Sequence, residues 1–186
     1  METLYIPIES QKRLIELSRR ILECFVCGWE QQSEDIKDPY LLSSENGAFV
    51  TLYKANDLRG CIGTCFPTRP LVETVMEMTR AAASQDYRFP TVSQSELPEI
   101  AIDISALSPL ELVHDPLSLK VGEHGLHVEY KEKRGVLLPQ VAVEYGWDRK
   151  TFLRQVCQKA DLPEDAWQWP ETRVLSFTAL TIKEER

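Results

Sequence analysis

The chain has 186 residues, 43% of them hydrophobic, with 29 acidic against 21 basic side chains and a net charge of −8. That is enough apolar material for one domain, or a large domain with a small one inserted, around a real core. The basic residues are scattered rather than gathered in a stripe, which argues against nucleic acid and anionic membranes as partners. No stretch approaches the roughly 18 uninterrupted apolar residues that span a bilayer, and METLYIPIESQKRL lacks the basic-then-apolar order of an export signal. Five cysteines, an odd number without such a signal, fit a reduced, cytoplasmic setting better than a disulfide scaffold.

In chain order, Leu14, Leu17, Ile21, Cys24, Phe25 and Gly28 trace one face of a helix from Ser10, its expected cap, to about Trp29. AFVTLYK (48–54) alternates as a strand, AND turns, and RGCIGTC returns beside it, because two glycines and β-branched Ile62 and Thr64 disfavour helix. RPLVETVMEMTRAAASQ spaces Leu71, Val75, Met78 and Ala82 as a helix, with Pro70 in its first turn. IAIDISALSPLELV reads as two strands around a proline-marked break, and GLHVEYKEKRGVLL as a hairpin. Pro139 opens a short helix to Tyr145, Asp148 caps another through about Ala160, and RVLSFTALTIK reads as one last strand. Strands clustered by hairpins with helices beside them predict an α+β fold with mainly antiparallel pairing.

The chemistry-bearing residues concentrate in NDLRGCIGTCFP (56–67). Side chains four apart on a strand lie about 13 Å apart, so a bridge between Cys61 and Cys65 is disfavoured. Alternation sends Leu58 and Ile62 toward a core and Arg59, Cys61 and Gly63 to the other face, where a guanidinium near an open thiol favours thiolate. The plainer alternative makes the glycines a bulge or a close strand approach, with Cys61 a small filler. Cys24 and Cys27 have CxxC spacing but no second pair to complete a zinc site, and Cys24 and Cys157 lie on apolar helix faces, as core cysteines do. No metal or cofactor motif emerges: GCIG lacks the spacing and Lys-Ser/Thr of a phosphate loop, and His124 and His127 alternate across a strand. His127 falls on the polar face of its strand and is read as solvated, and His114, before Asp115-Pro116 in a turn, is read as loop decoration.

LRGCIGT (58–64) resembles the hallmark of the AMMECR domain family, the protein A component of the AmmeMemoRadiSam system. DYRFPTVSQSELPEIAIDISALSPLE (86–111), VGEHGLHVEY (121–130) and GVLLPQVAVEYGWDRKTFLRQVCQKADLP (135–163) resemble further family segments, in the family's order. The departures are Tyr87 and Thr91 where prolines are frequent, and Cys65 outside the hallmark. The resemblance implies one AMMECR-type α+β domain over residues 1–186. Within it a larger part holds both termini, a smaller one comes from the central region, and the heptad lies near the cleft between them. It also implies partners, a Memo-type protein with a dioxygenase-like fold and a radical SAM protein, and no settled activity.

Within that frame Cys61 is the candidate nucleophile. His124, between Gly122 and Gly125, is the candidate base. Arg59, Gly60, Gly63, Thr64 and Arg88 are candidates for contacting a small substrate. Arg88 is either an anion clamp or an ion-pair partner of Asp86 or Glu96 that holds its loop. Two functions follow: an enzyme or enzyme subunit working through Cys61, or a noncatalytic adaptor whose LRGCIGT segment shapes a recognition groove.

Overall fold

A computed structural model describes residues 3–32 and 34–185. They form two compact units: one from Tyr5 to Leu107 together with the chain from Leu180, the other from Ser108 to Ala179 with the N-terminal lead. Each has its own sheet. Helices beside antiparallel strand pairs, β-hairpins among them, match the α+β, antiparallel expectation. Among the described residues no helix is long and apolar enough to cross a membrane.

The first unit holds α1 (Ile8–Cys27), β1 (Ala48–Lys54), β2 (Asp57–Thr64), α2 (Leu71–Ser84), β3 (Ile100–Leu107) and, after the other unit's elements in the chain, β8 (Ala179–Lys183). Its sheet has the order β2-β1-β3-β8, so β2 is an edge strand. β1 and β2 form a hairpin around Ala55 and Asn56, whose φ values of 49° and 74° belong to a primed turn matching the twist of the strands. Ala48, Val50 and Leu52 are fully buried on the β1 face toward α2, with Leu71, Val75 and Ala82 against them. Helices α1 and α2 meet through Leu14, Leu17 and Ile21 and through a buried hydroxyl pair, Ser18 and Thr79, at 2.7 Å. Arg19 forks onto Glu184 and also donates to the Ile100 carbonyl, fastening the end of the chain to α1. Both helices begin just beyond a proline, Pro7 and Pro70, and Ser10 lies buried within α1 rather than capping it. The last turn of α1 is less buried than its stripe predicts: Cys24 and Cys27 are half-buried and Phe25 is exposed.

The second unit holds β4 (Glu111–Leu112), β5 (Gly125–Tyr130), β6 (Lys133–Leu137), α3 (Pro139–Glu144), α4 (Arg149–Lys159) and β7 (Arg173–Phe177), with sheet order β4-β7-β5-β6. Leu126 and Val128 of β5 pack with Phe152, Leu153, Val156 and Cys157 of α4 in a closed core. Asp148 caps α4 by accepting the Thr151 amide at 2.8 Å. The segment read as one last strand is two, β7 and β8, in different sheets. Thr178 ends the first: its amide donates to Ser108 Oγ and its carbonyl accepts the Ser108 amide, which takes both groups out of a continuous ladder. His127, expected on a solvated face, is only 4% exposed, because β5 is an interior strand flanked by β7 and β6 and its second face is covered too. Burial pushes the His127 imidazole pKa down from its usual value.

Candidate functional site

The geometry of the site begins with an irregularity in β2. Opposite Tyr53 and Leu52 of β1 stand Leu58 and Gly60, so Arg59 is the extra residue of a β-bulge. The bulge resets the alternation. Leu58, expected in the core, is 39% exposed, whereas Arg59, expected at an open face, is 8% exposed. Beyond the bulge the register is regular, and Cys61 pairs with Thr51 on the face away from α2. There the Cys61 thiol is half-buried and accepts a hydrogen bond from the Thr51 hydroxyl at 3.3 Å.

Two carboxylates organise the guanidiniums around this strand. Asp86, just past the end of α2 and 4% exposed, accepts the outward amide of Cys61 at 2.8 Å. Arg88 grips the same carboxylate through Nε at 2.9 Å and Nη2 at 2.6 Å, while its own amide donates to Oδ1 at 3.2 Å. Glu96 does the equivalent for Arg59, accepting Nε at 2.9 Å and Nη2 at 3.1 Å, and also takes Lys54 Nζ at 3.3 Å and the Ser93 amide at 3.0 Å. The Phe89 ring lies between the two systems, its centroid 5.4 Å from the Arg88 guanidinium carbon and 6.0 Å from that of Arg59. Of the two alternatives for Arg88, the observed arrangement is the ion pair with Asp86.

These contacts move the carboxyl groups strongly. Hydrogen bonds from Arg88, then from the Cys61 and Arg88 amides, hold Asp86 well below the usual carboxylate range, and Arg59 with Ser93 does the same for Glu96. A carboxyl depressed in the fold binds its proton more readily once unfolded. The stability it contributes is therefore complete above the unfolded value near ~4 and drains away as pH falls toward the folded one. Melting temperatures measured from pH 6 to pH 2 are expected to be level at the top of that range and to fall steeply below about pH 4. The variant Glu96→Gln is expected to start lower and to fall less; an equal slope would show that Glu96 is not one of the titrating groups.

The remaining candidates separate. Gly60 lies under α2, where a methyl group would run into the Ala82 carbonyl oxygen, and Gly63 lies under the Phe49 ring. Thr64 uses its hydroxyl locally, accepting the Phe66 amide at 3.1 Å. His124 belongs to the other unit, in the turn before β5, where its Nδ1 accepts the Lys120 amide at 3.3 Å and burial lowers its pKa. The structure thus gathers Arg59, Gly60, Cys61, Gly63, Thr64 and Arg88 in one unit and puts His124 in the other. Among the described residues no group of three or more His, Cys, Asp or Glu side chains could hold a metal ion. A cavity of about 570 Å³ in the first unit, lined by Arg19, Tyr53, Leu97, Glu99 and Glu184, shares no lining residue with the Cys61 cluster. Sequence reading passed over Thr51 and gave Asp86 and Glu96 only an ion-pairing role. The signal that could have found Thr51 is the hairpin register, which an Ala-Asn turn sets but the bulge then shifts.

In this two-unit α+β chain, a cysteine-bearing, bulged edge strand is thus clamped by two Arg–carboxylate pairs. The chain belongs to the AMMECR1 family, whose model matches residues 15–182. It is similar to Protein TK0174 of Thermococcus kodakarensis, 42% identical over 182 residues that cover 92% of this chain and 89% of that protein. A protein of Methanothermobacter thermautotrophicus is 38% identical over 189 residues, covering 97% and 98%. The crystal structure of uncharacterized protein PH0010 from Pyrococcus horikoshii superposes with a TM-score of 0.89 at 39% identity, covering 97% of this chain and 94% of that one. None of these descriptions states an activity.

Proposed function

We propose that this AMMECR1-family chain is an enzyme, or a subunit of one, in which Cys61 is the reacting group toward a small substrate. The observation that carries the reading is the half-buried Cys61 sulfur: it accepts the Thr51 hydroxyl at 3.3 Å, and the backbone amide of the same residue is held by the Asp86 carboxylate that Arg88 grips. A hydroxyl aimed at the sulfur is the donor that a nucleophilic thiol uses as its proton is lost and charge develops. Arg88, with 43% of its side chain exposed, is the contact for a substrate group, while Arg59, forked onto Glu96 and 10% exposed, supports the strand. His124 as base, and a Memo-type protein and a radical SAM protein as working partners, rest on the family resemblance alone.

The test is covalent. Mild iodoacetamide treatment of the native chain at pH 7 is expected to modify Cys61 about tenfold faster than Cys24 or Cys27. Cys65 and Cys157 serve as protected references: Cys65 keeps some exposed surface, yet burial pushes its thiol up to about 12, and burial pushes Cys157 up to about 11. Incubation with a metabolite extract should leave a mass adduct on Cys61 that Cys61→Ser abolishes without lowering the melting temperature. Slow labelling together with no adduct would sink the enzyme reading.

A second reading has an observation of its own. Both guanidiniums spend their forks on internal carboxylates, and Gly60, Gly63 and Thr64 are all engaged in packing or in their own turn, as a rigid strand-turn that shapes a recognition groove requires. On that reading the chain is a noncatalytic adaptor, and Cys61→Ser leaves capture of its partner intact.

A further inference from the structure

The edge position of β2 leaves the Cys61 amide facing away from β1, where a strand would otherwise offer an open donor. Asp86 takes that donor at 2.8 Å with the same Oδ2 that Arg88 Nη2 reaches at 2.6 Å. One buried oxygen therefore joins the backbone of the candidate nucleophile to the Arg88 guanidinium. Resting on the reading of Cys61 as the reacting group, we infer that Asp86 is its positioning residue: the carboxylate pins the Cys61 backbone and pairs with Arg88, so the Asp86–Arg88 pair sets how readily the thiol reacts.

Two consequences have opposite signs. Removing the charge of Asp86 leaves Arg88 uncompensated next to the Cys61 backbone and should speed alkylation; removing Arg88 leaves Asp86 uncompensated there and should slow it. The other groups around Cys61 are unchanged in either case. They are Tyr87, 96% exposed between the two, the neutral Thr51 and, one strand further on, Asp103 in register with Thr51, and the Arg59–Glu96–Lys54 group at the bulge.

The experiment compares alkylation of Cys61 between pH 6 and pH 10, followed on its peptide by mass spectrometry, in the full chain and in Asp86→Asn, Arg88→Gln and the double variant. Asp86→Asn, which keeps a carbonyl oxygen for the amide, is expected to lower the midpoint of the pH profile by about one unit, Arg88→Gln to raise it by a similar amount, and the double variant to return near the starting value. Hydrogen exchange reads the backbone arm: the Cys61 amide should lose about tenfold of its protection in Asp86→Ala and keep it in Asp86→Asn. If both single variants move the midpoint the same way or not at all, or if Asp86→Ala leaves the amide protected, the inference is overturned. Should Asp86→Ala fail to fold, the ordering of Asp86→Asn, Arg88→Gln and the double variant decides. That ordering can hold even where no metabolite adduct forms, so failure of the enzyme reading and failure of this one are told apart.

Discussion

Replacing Gly60 with alanine is expected to cost about 3 kcal/mol of stability, the upper part of the overpacking range. A methyl group there meets the Ala82 carbonyl oxygen, and Ala82 is part of a regular helix turn whose backbone cannot yield alone. Relief requires α2 to lift from the sheet, and with it Leu71, Val75 and Ala82, all 2% exposed or less. Urea titration of Gly60→Ala against the unaltered chain measures the loss. Gly28→Ala and Gly146→Ala are the controls. Their φ values of 68° and 63° carry backbone strain, but their added methyl groups meet nothing, so each should cost only about 1 kcal/mol. A Gly60→Ala chain as stable as these controls would contradict the close approach of β2 to α2.

Glu96→Ala is expected to destabilise by about 3–5 kcal/mol, the range for stripping one partner from a buried ion pair. Arg59 has only 10% of its side chain exposed and is forked onto Glu96, and its Nη1 already has no hydrogen-bond partner among the described residues. Without the carboxylate, Nε and Nη2 would lose their partner as well, on a side chain that is only 10% exposed. The same carboxylate accepts Lys54 and closes the capping box with Ser93, so its loss also loosens the turn that leads into β3. Glu96→Gln keeps the shape and one acceptor and should lose roughly half as much. Thermal melts near pH 7 at low and high salt separate the two accounts: a buried pair resists screening, so a loss that vanishes in salt would place the pair at the surface.

The contacts of the site join partners that no local pattern announces. Arg59 and Glu96 are 37 residues apart in the chain, and the Cys61 amide and Asp86 are 25 apart. Strand alternation assigned Arg59 to an open face because it assumes a fixed period of two. One bulged residue breaks that period and turns an exposed guanidinium into a buried one. His127 was misread for a related reason: alternation tells which face of β5 it occupies, and only the packing tells that both faces are covered. The join at Thr178 is invisible in RVLSFTALTIK, since β propensity runs through it and the contact that stops the first strand comes from Ser108.

By itself the sequence determined the element types and their approximate limits, the hairpin at Ala55 and Asn56, the buried face of α4 and membership of the AMMECR1 family, because period, turn chemistry and motif order are properties of neighbouring residues. Only the tertiary structure decided that Asp86 and Glu96 hold the two guanidiniums, that Thr51 faces the Cys61 sulfur, and that the last strand is divided between two sheets. Those outcomes depend on register and on burial between distant segments, where a shift of one residue exchanges inside for outside.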